Sequence, residues 1–253
     1  MNVLARDLLR ALDPVALCDA IGMTADEWQA RALRSQHPRQ LWNCCRQAGK
    51  SQTAAVLAVH TAEAKPNSTI LLVSPGQRQS SELAQKVRVL WRELSLPKQG
   101  DNAMTLTGEN GSRIVSLPGS EGTIRGYTAD LLILDEASRI EDELYAAVRP
   151  MLAVTGGRLV AMSTPFGARG WFYEEWENGG ERWERVRVRA ADVPRISPEF
   201  LAAERAALGR WMFDQEYGTE FVSTSDQIFS NEDIARMLAQ GERLPGLFTG
   251  GAQ

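Results

Sequence analysis

Short apolar runs alternate with longer segments of helical pattern from Gln40 onward, and this alternation predicts strands followed by helices. Parallel strands need crossover connections, and helices in those connections cover both faces of the sheet. The pattern therefore predicts an α/β fold with a mainly parallel sheet. The predicted strands are Leu41–Cys45, Thr69–Ser74, Arg113–Leu117, Asp130–Asp135 and Arg158–Ser163, and the predicted helices are Lys50–Ala64, Gln77–Leu94, Glu141–Arg149 and a segment around Trp171–Glu177.

Helical signals also lie on either side of this alternating region. Thr24–Glu27 has the spacing of a capping box, which opens a helix. Ser197-Pro198 combines a serine N-cap with proline at the first helical position, and a second helical segment covers Arg210–Tyr217. We therefore expect a core at residues 1–190, a small helical subdomain at 191–222, and a linker and tail at 223–253.

The run Arg182–Arg189 alternates strictly, so a strand would place arginines on one face and valines on the other. One interpretation is an arginine stripe that tracks DNA. The other is an exposed edge strand that its charges protect from aggregation, and we prefer it.

Composition places the chain among ordinary globular proteins, since 43% of its 253 residues are apolar and 24% are charged. The longest apolar runs, such as Ile70–Val73 and Leu131–Leu134, are far too short to span a membrane, and no secretion signal is recognisable. Three cysteines, two of them adjacent, provide neither a disulfide framework nor a zinc site. We expect a soluble protein of a reducing compartment.

The charge balance limits how the chain could bind nucleic acid. Its 28 Lys and Arg residues are outnumbered by 32 Asp and Glu residues, which gives a net charge of −4. Tight, autonomous binding to duplex DNA usually requires a strongly basic domain. Contact with DNA is therefore expected through a local patch or within an assembly.

The segment Cys44–Ser51 lies between a predicted strand and a long predicted helix, which is the context of a phosphate-binding loop. Backbone N–H groups at the start of the helix can hold phosphate oxygens. Lys50 is expected to reach the β- and γ-phosphates, and the Ser51 hydroxyl to hold Mg²⁺. Cys44 replaces the first glycine of G-x-x-x-x-G-K-[ST], so an incidental helix start remains the alternative.

A second segment, Ala129–Glu136, is an apolar strand that ends in two adjacent acids. Strands of an open parallel sheet deliver such residues to the ligand side of the sheet. Asp135 is expected to hold Mg²⁺ through water, and Glu136 to orient and deprotonate an attacking water molecule. A helix N-cap at Asp135 is the structural alternative, but both segments in this order favour nucleotide hydrolysis.

A third apolar strand ends at Ser163-Thr164-Pro165. These small hydroxyl residues could sense the γ-phosphate from the neighbouring strand. A simple turn before the proline explains the same residues equally well.

Taken together, these segments resemble the ATPase domain of the terminase large subunit of tailed phages, which pumps DNA into procapsids. The resemblance covers nearly the whole chain. It implies a P-loop NTPase of the RecA/ASCE-like type, with helices on both faces of the sheet and a small helical lid subdomain. Cys45–Ser51 is similar to the family's deviant loop, and Thr123–Asp130 running into Leu131–Glu136 is similar to its second motif.

The resemblance also implies roles for individual residues. Trp28 and Gln29 look like an adenine-recognition pair, although Trp28 could equally be a core aromatic residue. Ser163 and Thr164 resemble the motif that couples hydrolysis to subdomain movement. The implied nucleotide-binding residues are Trp28, Gln29, Cys45, Arg46, Gln47, Ala48, Gly49, Lys50, Ser51 and Gln52.

Two arginines are candidates for a finger that stabilises charge in the transition state. Arg125 precedes Gly126 and would complete a neighbouring subunit's active site, although it could be only a solvated turn residue. Arg46 would instead act on the phosphates of its own subunit. We prefer Arg125 in trans and leave both open.

The family resemblance implies ATP and Mg²⁺ as ligands and double-stranded DNA, a portal protein and a small terminase subunit as partners. It implies a homo-oligomeric ring when assembled, allows a monomer in isolation, and places the protein in the cytoplasm of the bacterial host without membrane contact. A full large subunit continues into an RNase H-like nuclease domain. The segment up to Gln253 carries no apolar strand with paired carboxylates, so no nuclease activity is expected from this chain.

Two other functions remain possible at this point. A helicase-like, DNA-dependent ATPase has a similar acid box, but it needs a second α/β lobe. The roughly 60 residues that are left after the first lobe are too few to form one. A non-catalytic, nucleotide-gated regulatory module would be expected to lack Lys50 or Glu136, and both are present.

Overall fold

The computed structural model describes residues 3–119, 124 and 126–222. The predicted tail at 223–253 lies outside the described residues. The strands are β1 (Arg39–Cys44), β2 (Thr69–Ser74), β3 (Lys98–Asp101), β4 (Thr105–Gly108), β5 (Arg113–Pro118), β6 (Leu131–Asp135), β7 (Arg158–Ser163) and β8 (Glu184–Val188). The α-helices are α1 (Val3–Leu12), α2 (Val15–Ala20), α3 (Glu27–Arg34), α4 (Lys50–Ala64), α5 (Gln77–Glu93), α6 (Asp142–Val148), α7 (Gly170–Asn178), α8 (Pro198–Leu208) and α9 (Arg210–Glu216).

The described strands form one eight-stranded sheet in the order β3-β4-β5-β2-β6-β7-β1-β8. Within this order, all neighbouring pairs from β5 to β8 are parallel, and only the β3–β4 and β4–β5 pairs are antiparallel. The α/β prediction with a mainly parallel sheet is therefore confirmed. Every predicted strand and helix of the alternating region is present, and the bounds of α4, β2 and β7 are the predicted ones.

The core has two layers because alternate residues of each central strand point to opposite faces. Leu72 and Ile133 pack into one apolar cluster with α4 and α5. Leu71, Leu132 and Leu134 pack into the other cluster with α6 and α7. These strands are buried on both faces, which explains why they are continuous apolar runs in the sequence.

The antiparallel strands β3 and β4 were not predicted, since the sequence there indicates only turns. β3 is mostly exposed and polar, and in β4 the side chain of Leu106 is the buried apolar one. Such short strands form because β5 offers a free edge, with Leu106 opposite Ile114. These strands result from pairing that extends from the edge of β5, and the local sequence pattern does not indicate such pairing.

The run Arg182–Arg189 contains β8, the strand at one edge of the sheet, so its predicted place at an edge is confirmed, and protection from aggregation stays a prediction. Val186 and Val188 are buried. The guanidinium of Arg185 donates to three backbone carbonyls, and that of Arg187 donates to Thr219. These two arginines therefore fasten the edge strand to the rest of the chain.

The chain that follows the helical pair α8–α9 contacts the sheet again. Ser197 caps α8 as predicted, accepting a hydrogen bond from the Phe200 N–H at 3.2 Å. Beyond α9, the Thr219 carbonyl accepts a hydrogen bond of 3.0 Å from the Asn43 side chain in β1. No α-helix among the described residues is long and apolar enough to cross a membrane.

Candidate active site

The carboxyl ends of β1, β6 and β7 lie side by side, and a cavity of about 500 Å³ opens above them. Neighbouring parallel strands bring their ends to one edge of the sheet, so residues far apart in sequence meet there. The lining residues are Arg46, Gln47, Ala48, Gly49, Lys50, Ser51, Gln52, Gln79, Glu82, Lys86, Glu136, Arg139, Thr164, Pro165 and Glu216.

The loop between β1 and α4 forms one wall of this cavity. Gln47 and Gly49 both adopt positive φ angles, of 61° and 92°. The positive φ of Gly49 favours glycine, and a Cβ atom there would also stand 2.8 Å from Nε2 of Gln29 and displace that amide. In the part of the chain that the structure describes, no side-chain cap is present at the start of α4, so the N–H groups of its first turn can bind an anion.

The loop is held from behind by two side chains. Nε2 of Gln29 donates to Oγ1 of Thr53 at 3.0 Å, while its Oε1 accepts from the Asp26 N–H at 2.9 Å. Arg195 donates to the Ala48 carbonyl at 3.3 Å and pairs with Asp26 at 2.6 Å. Arg195 thus fixes the loop itself, and Gln29 fixes the first turn of α4.

Trp28 and Gln29 are placed in the interior and are not among the described residues that line the cavity. Trp28 is 8% exposed, and its ring meets that of Trp42 edge-on with centroids 6.1 Å apart. Gln29 is 3% exposed and bonded at both ends of its amide. This placement favours the core interpretation of Trp28, and recognition of a base by the pair stays a prediction.

The acid pair lies at the end of β6, and Glu136 lines the same cavity. Glu136 has φ 50° and ψ 43°, a left-handed conformation that turns the chain sharply after β6. Its Oε1 lies 3.4 Å from Nζ of Lys50. The predicted phosphate-binding lysine and the predicted base are thus brought together at one end of the cavity.

Asp135 is 6% exposed, and its Oδ1 accepts a hydrogen bond of 2.9 Å from the Glu136 N–H. Burial, with a smaller contribution from the neighbouring carboxylate of Glu136, raises the pKa of Asp135 to about 6, although Lys50 opposes the shift. The negative charge of this buried carboxylate is only partly balanced by Lys50, so the position suits a bound cation.

The residues present fit Mg²⁺ bound together with a nucleotide. Among the described residues there is no group of three or more His, Cys, Asp or Glu side chains that could hold a metal alone. Mg²⁺ typically binds through one or two protein oxygens together with substrate phosphates. Ser51 at the cavity wall and the buried carboxylate of Asp135 match that requirement.

The pKa of Asp135 predicts an effect on stability in the absence of nucleotide and metal. The folded-state value of about 6 exceeds the usual 3.8, so the charged side chain opposes folding above pH 6, and the effect disappears below pH 3.8. Asp135→Asn should therefore stabilise the protein at pH 8 in EDTA, by an amount on the order of 3 kcal/mol at most. Thermal unfolding at pH 8 and pH 4 measures this.

Asp130, which directly precedes the same strand, provides the matched control. It pairs with Lys65 at 2.6 Å and accepts a 2.7 Å hydrogen bond from the Thr69 N–H. Asp130→Asn should lower the unfolding temperature at pH 8, whereas Asp135→Asn should raise it. A lowered unfolding temperature for Asp135→Asn would contradict the description of Asp135.

The predicted coupling residues lie beside the acid pair. Ser163 is buried at the end of β7, and its hydroxyl is 2.6 Å from that of Ser138. Ser138 also donates to the Thr164 carbonyl at 2.8 Å. The turn after Glu136 and the strand end at 163–164 are therefore joined by hydrogen bonds, and Thr164 lines the cavity.

Of the two candidate arginine fingers, the structure describes only Arg46. Arg46 lines the cavity, and its Nε donates to the Glu216 carboxylate at the end of α9. Its backbone N–H donates to the Glu216 carbonyl at 3.1 Å. Arg125 lies outside the described residues.

Cys45, also predicted to bind nucleotide, is buried, and its backbone N–H donates to the Val188 carbonyl at 2.9 Å.

Several lining residues were not predicted from the sequence. Gln79, Glu82 and Lys86 reach the cavity from α5, where helical spacing brings them to one face. Arg139 comes from the short 3₁₀ turn Ala137–Arg139. The only available signal for Arg139 was its position three residues after Glu136.

A family model described as terminase large subunit, T4-like-virus type, N-terminal, matches residues 43–236. The terminase large subunit of Thermus virus P23-45 is 27% identical over 267 aligned residues, which cover 89% of this chain and 54% of that protein. The terminase large subunit of Thermus phage G20c matches equally well. The chain thus spans about half the length of these curated relatives.

Solved structures agree with the fold. The large terminase ATPase domain of Thermus phage P74-26 has a TM-score of 0.70 and 26% identity, covering 81% of this chain and 97% of that one. The large terminase of another thermophilic bacteriophage, in complex with ADP, has a TM-score of 0.69 over 79% of this chain and 54% of that one. Its identity is only 12%, so it supports the fold alone.

Proposed function

This chain belongs to the family of terminase large subunits of the T4-like-virus type, whose N-terminal part it matches, and we propose that it is an ATPase that powers the packaging of double-stranded viral DNA into procapsids. The observation that carries the proposal is the distance of 3.4 Å between Nζ of Lys50 and Oε1 of Glu136. A phosphate-binding lysine and a base are thereby in contact within one cavity.

The hydrolytic roles follow from this arrangement. The free N–H groups at the start of α4 and the charge of Lys50 bind the phosphates of ATP. Glu136 orients a water molecule and accepts its proton. Ser51 and Asp135 are the residues that would hold Mg²⁺, which when bound neutralises charge that develops on the phosphates.

The ion pair of Lys50 with Glu136 describes the site without nucleotide. Phosphate oxygens compete with the Glu136 carboxylate for Lys50, because both are anionic ligands of the same ammonium group. Nucleotide binding therefore releases Glu136 to accept a proton from water. The pair keeps the base within the cavity until substrate arrives.

Recognition of the nucleotide is assigned to Cys45–Gln52 as the phosphate cradle. Gln47, Ala48 and Gly49 line the cavity, which supports this assignment. Trp28 and Gln29 remain our proposed adenine-recognition pair. For Trp28 this role requires the ring to leave its contact with Trp42.

ATP hydrolysis is proposed to be coupled to movement of residues 191–222, which form a lid on the core at 1–190. Residues 223–253 serve as the linker. Two contacts support a link between the lid and the phosphate loop. Glu216 pairs with Arg46, and Arg195 donates to the Ala48 carbonyl. Ser163 and Thr164 transmit the state of the acid pair through Ser138.

The partners proposed for this chain are double-stranded DNA, a portal protein and a small terminase subunit, in the cytoplasm of the bacterial host. We propose a ring in which Arg125 completes the site of the neighbouring subunit. The alternative finger, Arg46, is occupied by Glu216 in this structure, which supports the choice of Arg125.

The experiment that tests this function measures phosphate release from ATP with Mg²⁺ and with EDTA, each with and without double-stranded DNA. We expect release that requires Mg²⁺ and increases with DNA. Binding of ATP without any release under all four conditions would favour a regulatory module instead. Release that DNA does not change would support the ATPase and contradict its role as a DNA motor.

A further inference from the structure

Arg139 lines the cavity together with Lys50, Glu136 and Thr164, although neither the loop motif nor the acid pair includes it. It ends the 3₁₀ turn Ala137–Arg139, and its backbone N–H donates to the Glu136 carbonyl at 2.8 Å. Glu136 directly precedes this turn, and both residues line the cavity. The turn therefore brings Arg139 to the same space as Glu136.

The guanidinium of Arg139 carries no carboxylate partner among the residues that the structure describes. It lies instead over the ring of Phe166, with 4.0 Å between Cζ and the ring centroid. An aromatic face holds a guanidinium in place without neutralising it or using its N–H donors. Arg139 thus presents at the cavity wall a positive charge that forms no ion pair with the described residues.

We propose that Arg139 is a catalytic residue that binds the γ-phosphate of the nucleotide within its own subunit. The proposal rests on the proposed ATPase function. It adds a cis-acting arginine to the site, and it concerns neither Arg125 nor Arg46.

The position relative to Glu136 indicates the γ-phosphate rather than the α- or β-phosphate. The cradle at 46–51 forms the wall that binds the phosphate chain, and the base must lie beyond the last phosphate to position an attacking water molecule. Arg139 ends the turn that follows this base and lines the same cavity. The γ-phosphate is therefore the phosphate closest to both residues in the proposed arrangement.

The other cations of the cavity are less suited to this role. Arg46 is paired with Glu216, and Lys50 with Glu136. Lys86 lies on α5 near Asp135, and its ammonium lacks the planar fork that binds two phosphate oxygens at once. Arg139 alone among these four combines a guanidinium with no carboxylate partner in the described part of the chain.

The test compares nucleotide affinities in a background of Glu136→Gln, so that turnover does not interfere. The probes are ATPγS and ADP, measured by calorimetry with Mg²⁺ present. Arg139→Gln should weaken ATPγS binding about 10-fold or more, as expected for lost hydrogen bonds to a charged group, and should leave ADP binding within about 2-fold. ADP binding thereby also reports that the variant is folded.

Arg169 offers a matched control, because it also stacks on Phe166, with 5.3 Å between its Cζ and the ring centroid, but it does not line the cavity. Arg169→Gln should leave both affinities unchanged. Arg139→Lys should retain part of the ATPγS affinity, since it keeps the charge and loses the two-pronged contact.

The outcomes separate the two proposals. Equal losses for ATPγS and ADP, or no loss for ATPγS, would overturn the role of Arg139 and leave the ATPase proposal intact. Failure of the Glu136→Gln parent to bind either nucleotide would overturn both. A selective loss for ATPγS in Arg139→Gln but not in Arg169→Gln supports the assignment.

Discussion

Replacing Glu136 with glutamine is expected to reduce ATP turnover by about 10²–10⁴-fold, the usual contribution of a general base. An amide has nearly the same shape as the carboxylate and cannot accept a proton from water. ATP affinity should be retained or improved, because Lys50 loses a competing partner 3.4 Å away. Single-turnover phosphate release and equilibrium binding measure the two effects separately.

Glu141 provides a control for this substitution. It is an exposed carboxylate that precedes α6 and does not line the cavity. Glu141→Gln should leave both turnover and affinity unchanged. Undiminished turnover in Glu136→Gln would remove the water-activating role from Glu136, and loss of ATP binding would contradict the assignment of this cavity as an ATP site.

Replacing Arg125 with alanine is expected to have the largest effect in an assembled ring, since an arginine finger contributes about 10³–10⁵ to the rate in other nucleotide hydrolases. If Arg125 acts in trans, the Arg125→Ala subunit keeps a complete base and lacks only its neighbour's arginine. Steady-state turnover at high protein concentration should therefore be nearly abolished, with ATP binding retained.

Mixing two inactive variants tests the trans action directly. Arg125→Ala supplies an intact Glu136, and Glu136→Gln supplies an intact Arg125, so mixed assemblies contain some complete sites. We expect partial recovery of turnover on mixing. No recovery, together with loss of turnover in Arg46→Ala, would assign the finger to Arg46 within its own subunit.

The fold was predictable where the burial of a strand or helix produces a recognisable pattern of apolar residues in that segment. Leu131–Asp135 has the pattern of a strand because both faces of a parallel strand are covered, and Lys50–Ala64 was bounded correctly because glycine precedes it. β3 and β4 were not predictable, since their pairing depends on the distant edge of β5. Local propensity carries no record of such partners.

The site was predictable only where one short segment carries the chemistry. Lys50 and Glu136 belong to contiguous motifs, and the strand order brings them together. Arg139 and Glu216 reach the same cavity through a 3₁₀ turn and the end of α9, and no local pattern indicates such positions. The burial of Trp28 against Trp42 likewise depends on how α3 packs on β1, which helical spacing leaves open.

The most direct test of the central claim is ATP turnover per subunit with Mg²⁺, measured across a wide range of protein concentration with Glu136→Gln as the blank. We predict turnover above the blank that increases with concentration, because a complete site needs both the cavity of one subunit and Arg125 of the next. Turnover above the blank that does not change with concentration would contradict the shared site. No difference from Glu136→Gln at any concentration would contradict the assignment of this cavity as an ATP hydrolysis site.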